Sequence, residues 1–297
     1  MRLLLLVNPH SGRGRAKRLG EQAAQHAVKL GSTVEIIAEN SAEESLAAAD
    51  AAIRQASSTE PFDAIVVVGG DGSIHQSLAL VHSHRIPLAV IASGTGNDLA
   101  RVIKAHGKSA EKIIDVIHSQ PPRDHDLGLV TSSEGARLFI QVLSTGFDSI
   151  VNERANGYRR LRGKIKYVVA TFREIFTFKA KRFTFSVDGV EYQRDAMLLA
   201  VANGPNYGGG MQVVPMADPR DGKLHLLLLK TVPTLEFLRV FPSVFAGKHI
   251  THKAVEIFSG TRVDISADVT AYADGERVGR LPISITVLPN AIKVWNI

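Results

Sequence analysis

Three short turns in the first hundred residues carry the side chains best suited to chemistry. NPHSG (8–12) follows the apolar run Leu3–Val7, GGDGS (69–73) follows AIVVV (64–68), and SGTGND (93–98) follows LAVIA (88–92). Each turn joins glycine to an Asn or an Asp. Glycine lets the backbone approach a ligand closely, and the N–H groups opening the next helix favour an anion. An aspartate in such a turn repels phosphate unless a cation stands between them. Asp71 and Asp98 therefore point to Mg²⁺ bridging carboxylate and phosphate. Gly-Asp turns are also a common way simply to leave a strand. Repetition on one edge is what favours a nucleotide phosphate site, because turns at the carboxyl ends of strands in an open α/β sheet line one crevice.

Several other machines are excluded. The chain has no GxxxxGK[ST] loop, no HExxH and no GxSxG elbow, and Leu99 stands where a third glycine of GxGxxG would follow Gly94 and Gly96. With no cysteine, disulfides, thiolate nucleophiles and Cys-ligated zinc are impossible, and a reducing cytosol fits. His249 and His252 are three apart without nearby carboxylates, and read as surface or core residues rather than metal ligands.

The elements that position the turns alternate. After the first run, Ala16, Leu19, Ala23, Ala27 and Leu30 fall at helical spacing and Gly31 stops the helix. Thr33–Ala38 reads as a strand. Ser41 with Glu44 forms a capping box opening a second helix. AIVVV lacks polar alternation, as a strand covered on both faces does. A helix to about His84, the strand LAVIA and a helix from Asn97 complete an α/β layering around a mostly parallel sheet. Beyond about residue 125, short β-rich runs dominate: Leu138–Leu143, Arg182–Val187, Met197–Ala202, Leu224–Lys230, Val255–Phe258, Arg262–Ser266 and Ile283–Leu288. Helices over 164–178 and 233–246 interrupt them. The fold class is α/β plus all-β. A nucleotide-binding α/β domain covers residues 1–124, and an antiparallel sandwich-like domain covers 125–288. The 297 residues accommodate two such domains.

Charge is local. Residues 1–125 carry 13 Lys/Arg and 13 Asp/Glu, whereas residues 154–182 carry ten basic residues and the single acid Glu174. Such a patch suits phosphate, nucleic acid or an anionic membrane, or is a solvated face. No apolar run reaches the ~18–20 residues of a membrane span. The opening MRLLLLVNP is too short for a signal-peptide core and reads as a buried strand.

NPHSGRGRA (8–16), VVVGGDGSIHQSL (66–78), GTGNDLAR (94–101), DLGLV (126–130), STGFDS (144–149), PMADPRDGKLHLLLL (215–229) and ADGE (273–276) follow the order and spacing of the diacylglycerol kinase catalytic-domain family. The sequence resembles that family over essentially its whole length. GGDG alone is shared with NAD kinases; GGDG with GTGNDLAR and the late DGE is specific. The resemblance implies a two-domain fold with the active cleft between the domains and the tail, about 289–297, returning to the first. It implies transfer of the ATP γ-phosphoryl to a lipid hydroxyl. Asn8, Pro9, His10, Ser11, Gly12, Gly69, Gly70, Asp71, Gly72, Ser73, Ile74, His75, Gly94 and Thr95 would hold the nucleotide. Asp71 would act through Mg²⁺, with Asp98 and Asp126 completing an acidic network, and Glu276 would be the base. A second, structural Mg²⁺ is implied at Asp221, with Asp218 and Lys223 supplying carbonyls. Ser73 replaces the usual Thr, and His75-Gln76 stands where relatives often carry Asn-Glu.

The expected partners are ATP and a lipid substrate met at a membrane surface, with no nucleic acid; homodimerisation is left open. The expected location is cytoplasmic, with transient contact at the inner membrane face through the basic stretch and the amphipathic segment 165–178. The alternatives are an NAD-kinase-like enzyme acting on a soluble substrate and a non-enzymatic nucleotide- or lipid-binding regulator.

Overall fold

The computed structural model describes residues 1–56, 60–146 and 180–297. The helix expected over 164–178 and all of the basic stretch up to residue 179 lie outside the described residues. The chain divides into two units, Met1–His125 with Asn290–Ile297, and Asp126–Pro289.

In the first unit β1 (Arg2–Val7), β2 (Thr33–Ile37), β3 (Ala64–Gly69) and β4 (Leu88–Ala92) run parallel in the order β4–β3–β1–β2. Leu3, Leu4, Leu5, Ile65 and Val66 are fully buried. Burial on both faces is why these strands are unbroken apolar runs. Between the strands come α1 (Arg15–Lys29), α2 (Ala42–Gln55) and α3 (Asp71–His84), followed by the short α4 (Asp98–Val102) and α5 (Ala110–Ser119). Helix α1 packs on α5 and α2 on α3. The capping box forms as the sequence spells it. Ser41 Oγ accepts the Glu44 N–H at 3.1 Å, and Glu44 Oε2 accepts the Ser41 N–H at 3.2 Å. The chain's end returns to this unit, where Val294 pairs parallel with Leu88 and the buried Trp295 donates through Nε1 to the Gln120 carbonyl at 2.8 Å.

The second unit is antiparallel. Its strands are β5 (Arg123–Ser132), β6 (Gly135–Phe139), β7 (Val142–Gly146), β8 (Lys181–Val187), β9 (Val190–Ala202) and β10 (Leu224–Lys230). After α6 (Thr234–Val240) follow β11 (Val255–Gly260), β12 (Arg262–Ser266), β13 (Thr270–Ala273), β14 (Glu276–Arg280) and the first part of β15 (Ile283–Val294). Strand β9 pairs with β8 along its first half and with β7 and β10 along its second. Leu199, Val201, Leu226 and Leu228 enter the main core with Phe139, Phe183 and Phe185. Their alternate neighbours Ala200, Ala202 and Leu227 enter a second cluster with Val142 and Val214. Successive strand residues point to opposite faces, so β9 and β10 are covered on both sides.

Two expectations change. Leu138–Leu143 is not one strand: it breaks at Ile140 and Gln141, because the backbone N–H groups of Ile140, Gln141 and Val142 are taken by the Asp274 carboxylate at 2.8, 2.9 and 3.2 Å. The helix over 233–246 is α-helical only to Val240 and continues as a 3₁₀ turn, Phe241–Ala246. Pro242 lacks the N–H that would continue the α-helical ladder. Gly247 closes the segment in the left-handed region.

Candidate active site

The three turns of the first unit meet. Asn8 Oδ1 accepts the His10 N–H at 3.1 Å, and its Nδ2 donates to Ser73 Oγ at 2.9 Å, tying the first turn to the second. Ser93 Oγ donates to Ser11 Oγ at 2.8 Å, tying the third to the first. The Ser93 N–H donates to the Gly69 carbonyl at 2.8 Å. Glycine is required where backbones touch. A Cβ on Gly94 would stand 2.6 Å from Gly70 Cα, and one on Gly12 would stand 2.4 Å from the Ser93 carbonyl oxygen.

Asp71 opens α3 and clamps the third turn. Its Oδ2 accepts the Asn97 N–H at 2.6 Å and its Oδ1 accepts the Asp98 N–H at 2.7 Å. Asn97, whose left-handed φ is +57°, also donates through Nδ2 to the Gly94 carbonyl at 2.8 Å. Of the nucleotide-side residues named above, Asn8, Ser11, Gly12, Gly69, Gly70, Asp71, Ser73 and Gly94 thus lie in one interlocked set. Pro9 and the exposed His10 share the first turn, Gly72 and His75 the first turn of α3, and the exposed Thr95 the third turn. Ile74 turns its side chain into the core, leaving only its backbone toward the turn. Sequence reasoning missed Ser93 and Asn97, although both sit inside the SGTGND motif.

In the second unit, Asp126 is buried on β5. Its N–H donates to the Pro219 carbonyl at 2.7 Å and its Oδ2 accepts the Gly222 N–H at 2.8 Å. Its carbonyl accepts from Asn203 Nδ2 at 3.0 Å. Glu276 is exposed at the start of β14, after a two-residue hairpin turn in which Asp274 and Gly275 have φ of +50° and +90°. Positive φ at both central residues matches the twist of the flanking strands. The Asp274 carboxylate, holding the three N–H groups of 140–142, seats this turn. Neither Asn203 nor the role of the Asp274 carboxylate was read from sequence. Their partners lie about 60 to 130 residues away, and no local spacing announces them.

The two expected Mg²⁺ positions differ. A Cβ on Gly96 would stand 2.5 Å from Asp71 Oδ2 and 3.8 Å from Asp98 Oδ2, so the two carboxylates flank one glycine. One or two carboxylates completed by phosphate oxygens and water suit Mg²⁺. At PRDGK, Asp218 is bidentate to Arg220 at 2.9 and 3.0 Å, and Asp221 gives Oδ1 to the Lys223 N–H and Oδ2 to His225 Nε2, both at 2.9 Å. All four carboxylate oxygens accept an N–H, as both oxygens of Asp71 do, and each keeps a second lone pair. Among the described residues no three His, Asp or Glu side chains gather as a cation cage.

The second unit also encloses an apolar cavity of about 130 Å³ lined by Val142, Leu198, Val213, Leu227, Phe237 and Phe241, among others. Stacked Phe237 and Phe241 and the edge-on, half-exposed Phe245 form a ladder of rings from its wall to the surface.

Comparison with known proteins finds matches over both halves of the chain. The diacylglycerol kinase catalytic domain matches residues 2–130, and the YegS C-terminal NAD kinase beta sandwich-like domain matches residues 141–296. A diacylglycerol kinase of Mycobacterium tuberculosis is 32% identical over 292 residues, covering 97% of this chain and 93% of that protein. One from Bacillus subtilis is 27% identical over 288 residues, covering 95% and 91%. The crystal structure of a diacylglycerol kinase from Bacillus anthracis str. Sterne shares the fold, with a TM-score of 0.73 at 17% identity, over 100% of this chain and 97% of that one. With both halves matched and the M. tuberculosis relative aligned almost end to end, the chain belongs to the diacylglycerol kinase family of ATP-dependent lipid kinases.

Proposed function

We propose that the protein transfers the γ-phosphoryl group of ATP to a hydroxyl of a lipid of the diacylglycerol type. Residues 1–124 with the tail 289–297 are assigned to the nucleotide and residues 125–288 to the lipid. The observation that carries the reading is the meeting of the 8–12, 69–73 and 93–98 turns on the Asp71 clamp. Their backbone N–H groups and the N-terminus of α3 suit phosphate oxygens. Mg²⁺ bound by Asp71 and Asp98 would neutralise charge on the transferring group. In the transfer the acceptor oxygen bonds to the γ-phosphorus as the bond to the β–γ bridging oxygen breaks, and ADP leaves. Glu276 takes the hydroxyl proton, a task suited to a carboxylate reaching out from a short hairpin. Asp126 completes the acidic set. The ring-lined cavity supports an apolar chain as part of the acceptor.

Label transfer from [γ-³²P]ATP to lipid in mixed micelles with Mg²⁺ tests the reading. The expected result is a labelled lipid that is lost with Glu276→Ala, diacylglycerol being the first acceptor tried. Label reaching only a soluble acceptor, or none despite ATP binding, would overturn it. A peripheral membrane contact through the 154–182 stretch is part of the same proposal. Salt-sensitive co-sedimentation with anionic vesicles is the result it requires. No helix among the described residues is long and apolar enough to cross a membrane.

A further inference from the structure

We propose that His225 fixes the 218–222 loop that holds Asp126. The loop grips Asp126 twice. The Pro219 carbonyl accepts the Asp126 N–H at 2.7 Å, and the Gly222 N–H donates to Asp126 Oδ2 at 2.8 Å. Asp221 sits between these two contacts. Its Oδ2 receives His225 Nε2 at 2.9 Å and its Oδ1 receives the Lys223 N–H at 2.9 Å. A carboxylate only accepts, so Nε2 of His225 carries the hydrogen. The other ring nitrogen, Nδ1, lies 2.9 Å from Ser259 Oγ, which fixes the ring plane. His225 and Ser259 are register partners on β10 and β11, and the flanking Leu224 and Leu226 are fully buried. The chain Ser259–His225–Asp221 therefore ties a surface loop to the buried strand β10.

Asp218 is bonded to Arg220, and Asp221 to His225 and the Lys223 amide. His225 is thus a positioning residue acting through Asp221 and the loop. Its consequence for catalysis rests on the kinase reading above; the anchoring itself does not.

The test compares wild type with His225→Leu and His225→Gln, since a glutamine amide can still donate to Asp221. In nucleotide-free protein, hydrogen exchange of a peptide covering 218–223 is expected to be the same in EDTA and in Mg²⁺, and to quicken about tenfold in His225→Leu. In the kinase assay His225→Leu is expected to lower kcat about tenfold with the lipid KM within about twofold, and His225→Gln to recover kcat to within about threefold of wild type. Faster exchange of 218–223 in EDTA would assign the anchor to a cation and overturn the proposal. So would unchanged exchange in His225→Leu, or equal losses of Tm and kcat in both variants. A wild type that transfers no phosphate would refute the kinase reading, while the exchange measurement would still decide the anchor.

Discussion

Gly96→Ala probes the Asp71 clamp with one methyl group. Gly96 has no left-handed φ to satisfy, so alanine meets only the steric problem. The added Cβ would stand 2.5 Å from Asp71 Oδ2. An ordinary C···O contact is about 3.3 Å, so the carboxylate oxygen must retreat by roughly 0.8 Å. That retreat stretches the 2.6 Å bond from the Asn97 N–H beyond useful length and tilts the 2.7 Å bond from the Asp98 N–H. Hydrogen bonds to a charged group contribute about 1.5–3 kcal/mol each. Loss of one and weakening of the other therefore costs the first unit about 2–4 kcal/mol. Urea unfolding followed by far-UV circular dichroism would read this as a lowered midpoint with unchanged slope. ATP affinity, measured by calorimetry on the same sample below the transition, is expected to fall as well, because the turn that faces the phosphates has lost its tie. A variant with wild-type midpoint and wild-type ATP affinity would refute the reasoning: Asp71 would then not be holding the 96–98 backbone.

Three further outcomes are expected. Asp274→Ala removes the acceptor of the Ile140, Gln141 and Val142 N–H groups and should cost the second unit about 2–4 kcal/mol in urea unfolding, with kcat falling because the hairpin bearing Glu276 loses its seat. Ser41→Ala deletes the cap of α2 and should lower stability by about 1 kcal/mol in urea unfolding. Burial holds the His249 imidazole below its ordinary pKa, opposed by its 2.9 Å bond to the Val213 carbonyl. The unfolded imidazole titrates near ~6.5, so the unfolded chain binds the proton first as pH falls. This contribution to stability is complete above that value and is lost progressively below it. The Tm should drop between neutral pH and mildly acidic pH, and His249→Gln should flatten that slope.

Much of the first unit was legible in the sequence because its signals are local. Unbroken apolar runs mark doubly covered strands, Ser41 with Glu44 marks a helix start, and glycines mark the turns that leave each strand. Those signals depend on the dihedral preferences and burial of neighbouring residues, which neighbours alone can encode. The Asp-Gly pair at 274–275 is likewise a local signal, and its positive φ values follow from the residue types.

Tertiary structure decided what depends on distant partners. That Leu138–Leu143 breaks in two follows from a carboxylate more than 130 residues later taking its N–H groups. That Gly94 cannot carry a side chain follows from two turns arriving at the same point. The pairing of His225 with Ser259 exists only because β10 and β11 are in that register, and it seats the ring that holds Asp221. The sequence determined which residues could do the chemistry; long-range packing decided which of them are held, and by what, because a hydrogen bond across a sheet leaves no period or spacing along the chain.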